Sequence, residues 1–449
     1  MFANKTSQPE LFVSTRQIAM PRQADYYSKL NPTLDAFDFA KKVRRICKPA
    51  YDQSGRGKPG IDPVVFIKMH LIGFLENIPS QRAIAFRCED SKAIAHFLLY
   101  ELTESTPDHS RLSVFRKRLS DKMFQSLFDL GLQALQQHGL LRGKNLGIDT
   151  SVIEANASLR GLENRNTQEQ YWEYVKHIAK EEGIDPNNTE AVRQFDRKRP
   201  KKMSNQDGQN PHDPDAKIGP KKDGATDMIY KPEIVADLDT GAIAGAQVIP
   251  GDRSDSKDFF CPILEAQENI ARARGEAKDT LTTKTVTADK GYFSIDDFKT
   301  LHSKGIKTII SDPQANRRLD KLSPEDRQAV KNARRSAKSQ YGKRFLKRRG
   351  MHLERVFAHL LDNGGQRRTT LRGHHHNNKR FLLGALAYNL SQLMRKLIGI
   401  GTPKQWVAAK ARGKSPFLAI WVVISMVIHG IRTILPKPNF QLEPEKHFA

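Results

Sequence analysis

Two aspartates stand at the exits of short apolar runs. Asp149 follows Leu146-Gly147-Ile148, and Asp289 follows Val286-Thr287-Ala288 and precedes Lys290-Gly291-Tyr292. A third acid, Glu354, lies in a stretch where Leu353, Val356, Phe357 and Leu360 recur at helical spacing. The gaps are 140 residues (149 to 289) and 65 residues (289 to 354). Carboxylates gathered from separate elements can hold two divalent cations roughly 3.5–4 Å apart, one activating a nucleophile and one stabilising the leaving oxygen of a phosphodiester. Mg²⁺, with Mn²⁺ as the alternative, suits such a set because it takes oxygen ligands and leaves positions for water and phosphate. Taken singly, any of the 50 acids is more often a cap, a turn residue or half of a surface ion pair, and periodicity does not select these three.

Cations surround the third acid. Lys343, Arg344, Lys347, Arg348 and Arg349 precede it, Arg355 follows at once, and Arg367, Arg368, Arg372, Lys379 and Arg380 come after. Lys290 follows Asp289, and Arg116 and Arg118 close a basic segment that begins at Arg111. Contact with DNA phosphates and a solvated basic face are the two readings of these residues. His374-His375-His376 has no acid or cysteine beside it, and three consecutive histidines cannot all face one ion from a helix.

The bulk composition favours a polyanionic partner. The chain has 449 residues with 74 Lys+Arg against 50 Asp+Glu, a net charge of +24. Such an excess drives association with nucleic acid through counterion release. Cys47, Cys88 and Cys261 form no C-x-x-C pair, which excludes a zinc knuckle and fits a reducing cytoplasm. The opening MFANKTSQPELF lacks the apolar stretch of a secretory signal. The run from Phe417 to Ile428 is shorter than the roughly 18–20 residues a bilayer span requires, so a buried helix is expected there and no membrane partner.

Several elements must position the acids. Residues from about 60 to 140 read as short helices with sharp joints, starting at Asp62-Pro63 and ending at Gly139. A helix-turn-helix-type DNA module and a plain helical bundle fit this pattern equally. Asn145–Thr150 then suits a strand. Residues 162–225 are a polar interruption with a helix over Glu169–Glu182 and an expected mobile loop from Arg197 to Gly224. Ile229–Leu238 and Ala242–Ile249 form a hairpin about Asp239-Thr240-Gly241. Helix Lys257–Ala273, strand Thr285–Ala288, a helix capped by Ser294 and strand Ile306–Ile310 follow. Ser323-Pro324 starts a long basic helical region, which Gly350 is expected to interrupt before the helix of Glu354, and Phe381–Ile398 is a core helix. This alternation predicts a mixed α/β sheet covered by helices.

Four stretches carry a family resemblance: GIDTSVIEANAS around Asp149, YKPEIVADLDTGAIAGAQVIPGD, ADKGYFS around Asp289, and LERVFAHLLDNGGQRRTTLRG around Glu354. In this order they resemble blocks of DDE transposases from bacterial insertion sequences. GIDPVVFIKMHLIGFLENIPSQRAIAFRCED and TPDHSRLSVFRKRL resemble the helical domain that precedes the catalytic core in that group.

The resemblance implies a ribonuclease H-like mixed sheet flanked by helices and preceded by an all-α domain. The expected division is 1–140 helical and DNA-binding, 141–395 catalytic with the insertion at about 162–225, and 396–449 a helical tail. Asp149, Asp289 and Glu354 match the family's three acids, binding two Mg²⁺ or Mn²⁺ ions. The implied partner is double-stranded DNA, as element ends and as target, bound by a homodimer or larger assembly in the bacterial cytoplasm at the nucleoid. One departure concerns the Tyr-x2-Arg-x3-Glu-x6-Lys signature of many relatives, since Lys347, Gly350 and Leu361 stand at its other three positions. Glu325 is the alternative third acid, although its place in a first helical turn suits the helix dipole. Two other functions remain open: a ribonuclease H-like nuclease without strand joining, and a non-catalytic DNA-binding or repressor protein.

Overall fold

Asp62-Pro63 opens a helix because the carboxylate can accept from a free first-turn amide and proline needs no donor there. The computed structural model describes residues 24–52, 60–101, 103–199, 204–221, 223–314, 316 and 318–411. In it Asp62 accepts from the Val64 amide at 2.9 Å. The helical region comprises α1 (Ala24–Asp35), α2 (Phe39–Cys47), α3 (Pro63–Leu75), α4 (Gln81–Asp90), α5 (Lys92–Leu98), α6 (His109–Arg118) and α7 (Asp121–Gln137). Ser80, Asp108 and Ser120 cap α4, α6 and α7 through their side-chain oxygens.

The strands are β1 (Asn145–Thr150), β2 (Ile153–Glu154), β3 (Glu163–Asn164), β4 (Gly208–Gln209), β5 (Lys217–Pro220), β6 (Thr226–Asp237), β7 (Ile243–Pro250), β8 (Thr285–Thr287) and β9 (Lys307–Ile309). The main sheet runs β7-β6-β1-β8-β9, with β6 antiparallel to β7 and β1, and with β1, β8 and β9 parallel. Short β2 and β5 also pair with the start of β6, and β3 pairs with β4 apart from this sheet. Gly241, at φ 80°, supplies the left-handed residue that closes the β6–β7 turn.

The remaining helices are α8 (Tyr171–Glu181), α9 (Thr189–Lys198), α10 (Phe260–Arg274), α11 (Ile295–Ser303), α12 (Pro324–Lys338), α13 (Gln340–Phe357), α14 (His374–Ile398) and α15 (Pro403–Ala411). Helix α14 lies against the sheet-edge strand β7. Asn389 bonds both the amide and the carbonyl of Ile243, at 3.0 and 2.9 Å, and Asn378 accepts from the Val248 amide at 2.9 Å. These side chains satisfy edge-strand groups that would otherwise be buried unpaired. An adjoining face of α14 meets α7 so closely that a Cβ on Gly131 would lie 2.8 Å from Leu386 Cδ1 and 3.6 Å from Asn389 Cβ. One apolar core therefore continues from Tyr26 in α1 to Met394 in α14. The mixed α/β architecture with its helical N-terminal region is the ribonuclease H-like arrangement anticipated from the sequence.

Three details differ from the sequence expectations. The break expected at Gly350 falls at Ser339 instead, whose Oγ accepts from the Gly342 amide at 2.9 Å and caps α13. Gly350 lies inside α13, where a single interior glycine costs only about 1 kcal/mol and does not break the helix. Within the polar interruption, α9 packs on α8 through Val175, Ala179 and Val192, and β5 joins the sheet. Helix α14 also runs unbroken through residues 395–396, where a boundary was expected. The run Phe417–Ile428 lies outside the described residues.

Candidate active site

Strand register brings the first two acids level. Gly147 of β1 pairs with Thr287 of β8 in a parallel ladder, and Asp149 and Asp289 each stand two residues further on. Neighbouring strands are roughly 5 Å apart, so the two backbones leave the sheet side by side. Alternation puts Asp149 on the face of Gly147 and Asp289 on the face of Thr285 and Thr287. Helix α13 covers that face. A Cβ on Gly147 would lie 3.3 Å from Leu353 Cδ1, and Thr285 Oγ1 is 3.4 Å from Tyr341 Oη.

Asp149 is largely buried. Its Oδ1 accepts from the Thr150 amide at 3.0 Å and its Oδ2 from Arg349 Nη1 at 2.8 Å. Burial pushes its carboxyl up to about 6; the Arg349 charge opposes this, while Asp289 and Asp255 add to it. Asp289 is exposed, and its Oδ1 accepts from the Lys290 amide at 2.6 Å, opening a tight turn over Lys290–Tyr292.

Two acids that the sequence reading missed lie in the same neighbourhood. Asp255 accepts from Lys231 Nζ at 3.1 Å. Glu233 is buried on β6 opposite Thr150, accepting from Gln247 Nε2 at 2.6 Å and Tyr292 Oη at 3.4 Å. Burial raises the Glu233 carboxyl. Its signal in the sequence is a charge embedded in the apolar run of a central strand.

Helix α13 carries the third acid. Arg348 Nη1 donates to Asp239 at 2.8 Å, and His352 lies beside Gly241, so this flank of α13 faces the β6–β7 turn. That turn lies where β1 begins, since Leu238 N donates to the Asn145 carbonyl at 2.8 Å. Glu354 follows His352 by two residues, about 200° around the helix, and so projects from a different flank. Its carboxylate is exposed and lies back over Gly350, with Oε1 4.0 Å from where a Cβ there would sit. Among the described residues no three acidic, histidine or cysteine side chains are gathered closely enough to hold a metal ion, and the carboxylates whose charge is felt at Asp149 are Asp289 and Asp255. Glu325, the alternative, lies in the first turn of α12.

The predicted basic residues divide into two groups. Lys290, Arg118, Arg344, Arg355, Arg368 and Arg372 are exposed. The others are engaged by protein groups or buried. Arg349 holds Asp149 and Arg348 holds Asp239. Arg367 pairs with Asp362 at 2.8 Å and reaches the Val152 carbonyl at 3.3 Å. Lys379 is buried, donating to the Leu119 carbonyl at 2.6 Å and Asp121 at 3.3 Å beside the Phe124 ring, which makes it a packing residue. Arg116 and Arg380 are also turned inward. The three histidines diverge: His374 reaches the Val248 carbonyl, His375 reaches Asp121, and His376 Nδ1 is buried without a partner.

The chemistry of this donor set fits hard divalent cations. Asp149 is a largely buried carboxylate paired with Arg349, and Asp289 and Glu354 present exposed oxygens.

Residues 16–118 match the family model described as Transposase domain (DUF772), and residues 192–390 match the one described as Transposase DDE domain. Asp289 and Glu354 fall within the second match, whereas Asp149 falls between the two. No curated protein and no solved structure matches the chain. No helix among the described residues is long and apolar enough to cross a membrane.

Proposed function

Because this chain belongs to the DDE transposases of insertion sequences, with family matches that together span more than half its length, we propose that it binds the double-stranded ends of its element, cuts them and joins them to target DNA at one centre formed by Asp149, Asp289 and Glu354. The observation that carries this reading is the level exit of Asp149 and Asp289 from adjacent parallel strands, beneath the helix that bears Glu354. Two Mg²⁺ ions, or Mn²⁺ in their place, would supply nucleophile activation and charge stabilisation at the phosphate when bound by these carboxylates. Asp149 is held within β1, and Asp289 stands two residues past β8 where its Oδ1 accepts from the Lys290 amide, so both backbones are fixed before substrate arrives. Exposed Arg344, Arg355, Arg368 and Arg372 would position the backbone without reading sequence.

Water attacks the phosphodiester at the element end in line, and the P–O3′ bond breaks to free a 3′-hydroxyl. That hydroxyl then attacks a target phosphodiester at the same centre, forming a new P–O3′ bond as the target's own P–O3′ bond breaks and its 3′-oxygen leaves with a proton. Two ends must meet for joining, so the working form contains at least two copies of the chain.

The test uses a duplex oligonucleotide carrying the DNA that flanks the gene, with Mg²⁺. Nicking by wild type and its loss in Asp149→Asn with DNA binding retained is the expected result, and unchanged nicking in that variant would overturn the assigned site. Joined products separate a transposase from a plain nuclease on the same core, and binding without any nicking by wild type would leave a repressor.

A further inference from the structure

Where α6 meets the start of α14, two arginines are brought together and, among the described residues, no acid pairs with either. Arg116 is 6% exposed, and its Nε and Nη1 are buried without a hydrogen-bond partner. Arg380 donates to the Arg368 carbonyl at 3.3 Å, to the Pro79 carbonyl at 3.2 Å and to the Gly365 carbonyl. Those carbonyls satisfy its donors without cancelling its charge.

The Arg116 charge is felt at Arg380, His376 and His70, and no carboxylate contributes at any of the four. Arg116 forms the wall between a narrow cavity, which it shares with Arg380 and Gln366, and an open cleft. The cleft is lined by Arg82, His109, Lys117, Arg372 and His376 among others, with no aspartate or glutamate. Buried cations ordinarily pair with acids, and a water molecule can satisfy a donor but cannot neutralise it.

We propose that this junction is a built seat for a phosphate-type oxyanion, with Arg116 as its inner donor and Lys117, Arg372 and His376 around the mouth, and that its occupant is a backbone phosphate of DNA crossing from the helical region to the catalytic core. The occupant's identity rests on the function proposed above; the anion chemistry does not. The seat differs from the surrounding exposed arginines in its inner donor, Arg116, which the protein encloses, so a bound oxyanion meets a charge that water screens less. A tetrahedral oxyanion that drew the enclosed Arg116 guanidinium toward the cleft would take its two unpartnered donors, as neither a chloride ion nor water can with comparable charge and geometry.

The experiment uses the full chain in EDTA. Its melting temperature is followed in sodium phosphate and in sodium chloride of equal ionic strength, for wild type and Arg116→Gln. Phosphate should raise the wild-type midpoint saturably, by about 2 °C at tenfold over half-saturation. The general salting-out effect is read from the variant, in which the saturable part should vanish. If Arg116→Gln does not fold, Arg372→Gln at the mouth should weaken half-saturation several-fold. In parallel, the slope of log affinity against log salt for a duplex should fall by about 1 in Arg372→Gln.

Absence of saturable stabilisation in wild type overturns the seat. Stabilisation with an unchanged DNA slope keeps the seat and overturns the DNA occupant in favour of free phosphate. Stabilisation in a chain that binds no duplex leaves the seat standing while the transposase mechanism fails.

Discussion

Arg349 Nη1 donates to Asp149 Oδ2 at 2.8 Å, joining side chains two hundred residues apart in the chain and tying α13 to the end of β1. The pair puts a guanidinium where a carboxylate metal ligand is expected to meet its cation. It also fixes the turn of α13 that precedes Glu354. Both side chains are largely enclosed, with 15% of Arg349 and 24% of Asp149 exposed.

Removing the guanidinium leaves a mostly buried carboxylate without its cation. In EDTA at pH 8, Arg349→Gln should lose about 1–3 kcal/mol in urea unfolding, less than the roughly 3–5 of a fully buried pair. Added Mn²⁺ should recover much of that loss, because an ion that binds only the folded state stabilises it. A loss that Mn²⁺ leaves untouched would argue against Asp149 as a metal ligand.

The pH dependence of metal-free stability follows from the same carboxyl. Its folded-state value is raised from 3.8 to about 6, chiefly by burial. A raised carboxyl favours the folded state while protonated, so this contribution is complete below about pH 4 and is lost as the pH climbs to about 6. Asp149→Asn removes the titration. In EDTA the variant should gain on wild type between pH 4 and pH 7, by at most about 3 kcal/mol. Parallel stability profiles for the two proteins over that range would contradict this.

Gly147 is the point where β1 admits α13. A Cβ there would lie 2.7 Å from Leu238 Cδ2 and 3.3 Å from Leu353 Cδ1. Gly147→Ala should cost about 1–3 kcal/mol through overpacking. Nicking should fall more than the folded fraction does, since lifting Leu353 displaces Glu354 beside it. Activity that merely tracks the folded population would show that Glu354 tolerates the shift.

Lys379 and Arg344 make a matched pair for separating packing from DNA contact. Lys379→Met loses a buried bond to the Leu119 carbonyl and should reduce stability by about 1–3 kcal/mol without changing the salt slope of duplex binding. Exposed Arg344→Gln should do the reverse, leaving stability within about 0.5 kcal/mol and lowering the slope by about 1. The opposite pattern would reverse the two roles.

The strands around Asp149 and Asp289 were legible because both are short apolar runs with sharp exits, and their side-by-side register could follow once parallel pairing was assumed. The cap of α13 was misread because Gly350 is a louder local signal than Ser339, yet a serine oxygen aimed at Gly342 N stabilises a helix start, whereas an interior glycine costs only about 1 kcal/mol. The inward turn of Lys379 was invisible, since its partners Leu119 and Asp121 are some 260 residues away in the chain. Asp255 and Glu233 were missed because their proximity to Asp149 depends on the fold, although the charge inside the β6 run was a usable warning.

Helix α14, 25 residues long, packs at once on the sheet edge and on α7, with Asn389 reaching both. Protein cores resist continuous deformation, so the two halves of the molecule cannot swing like beads on a string. If the first half grips a duplex, as the resemblance implies, that duplex meets the carboxylates at a set helical phase. Lengthening the DNA between grip and cut by half a turn should therefore silence the enzyme, where a hinged one would simply cut further along.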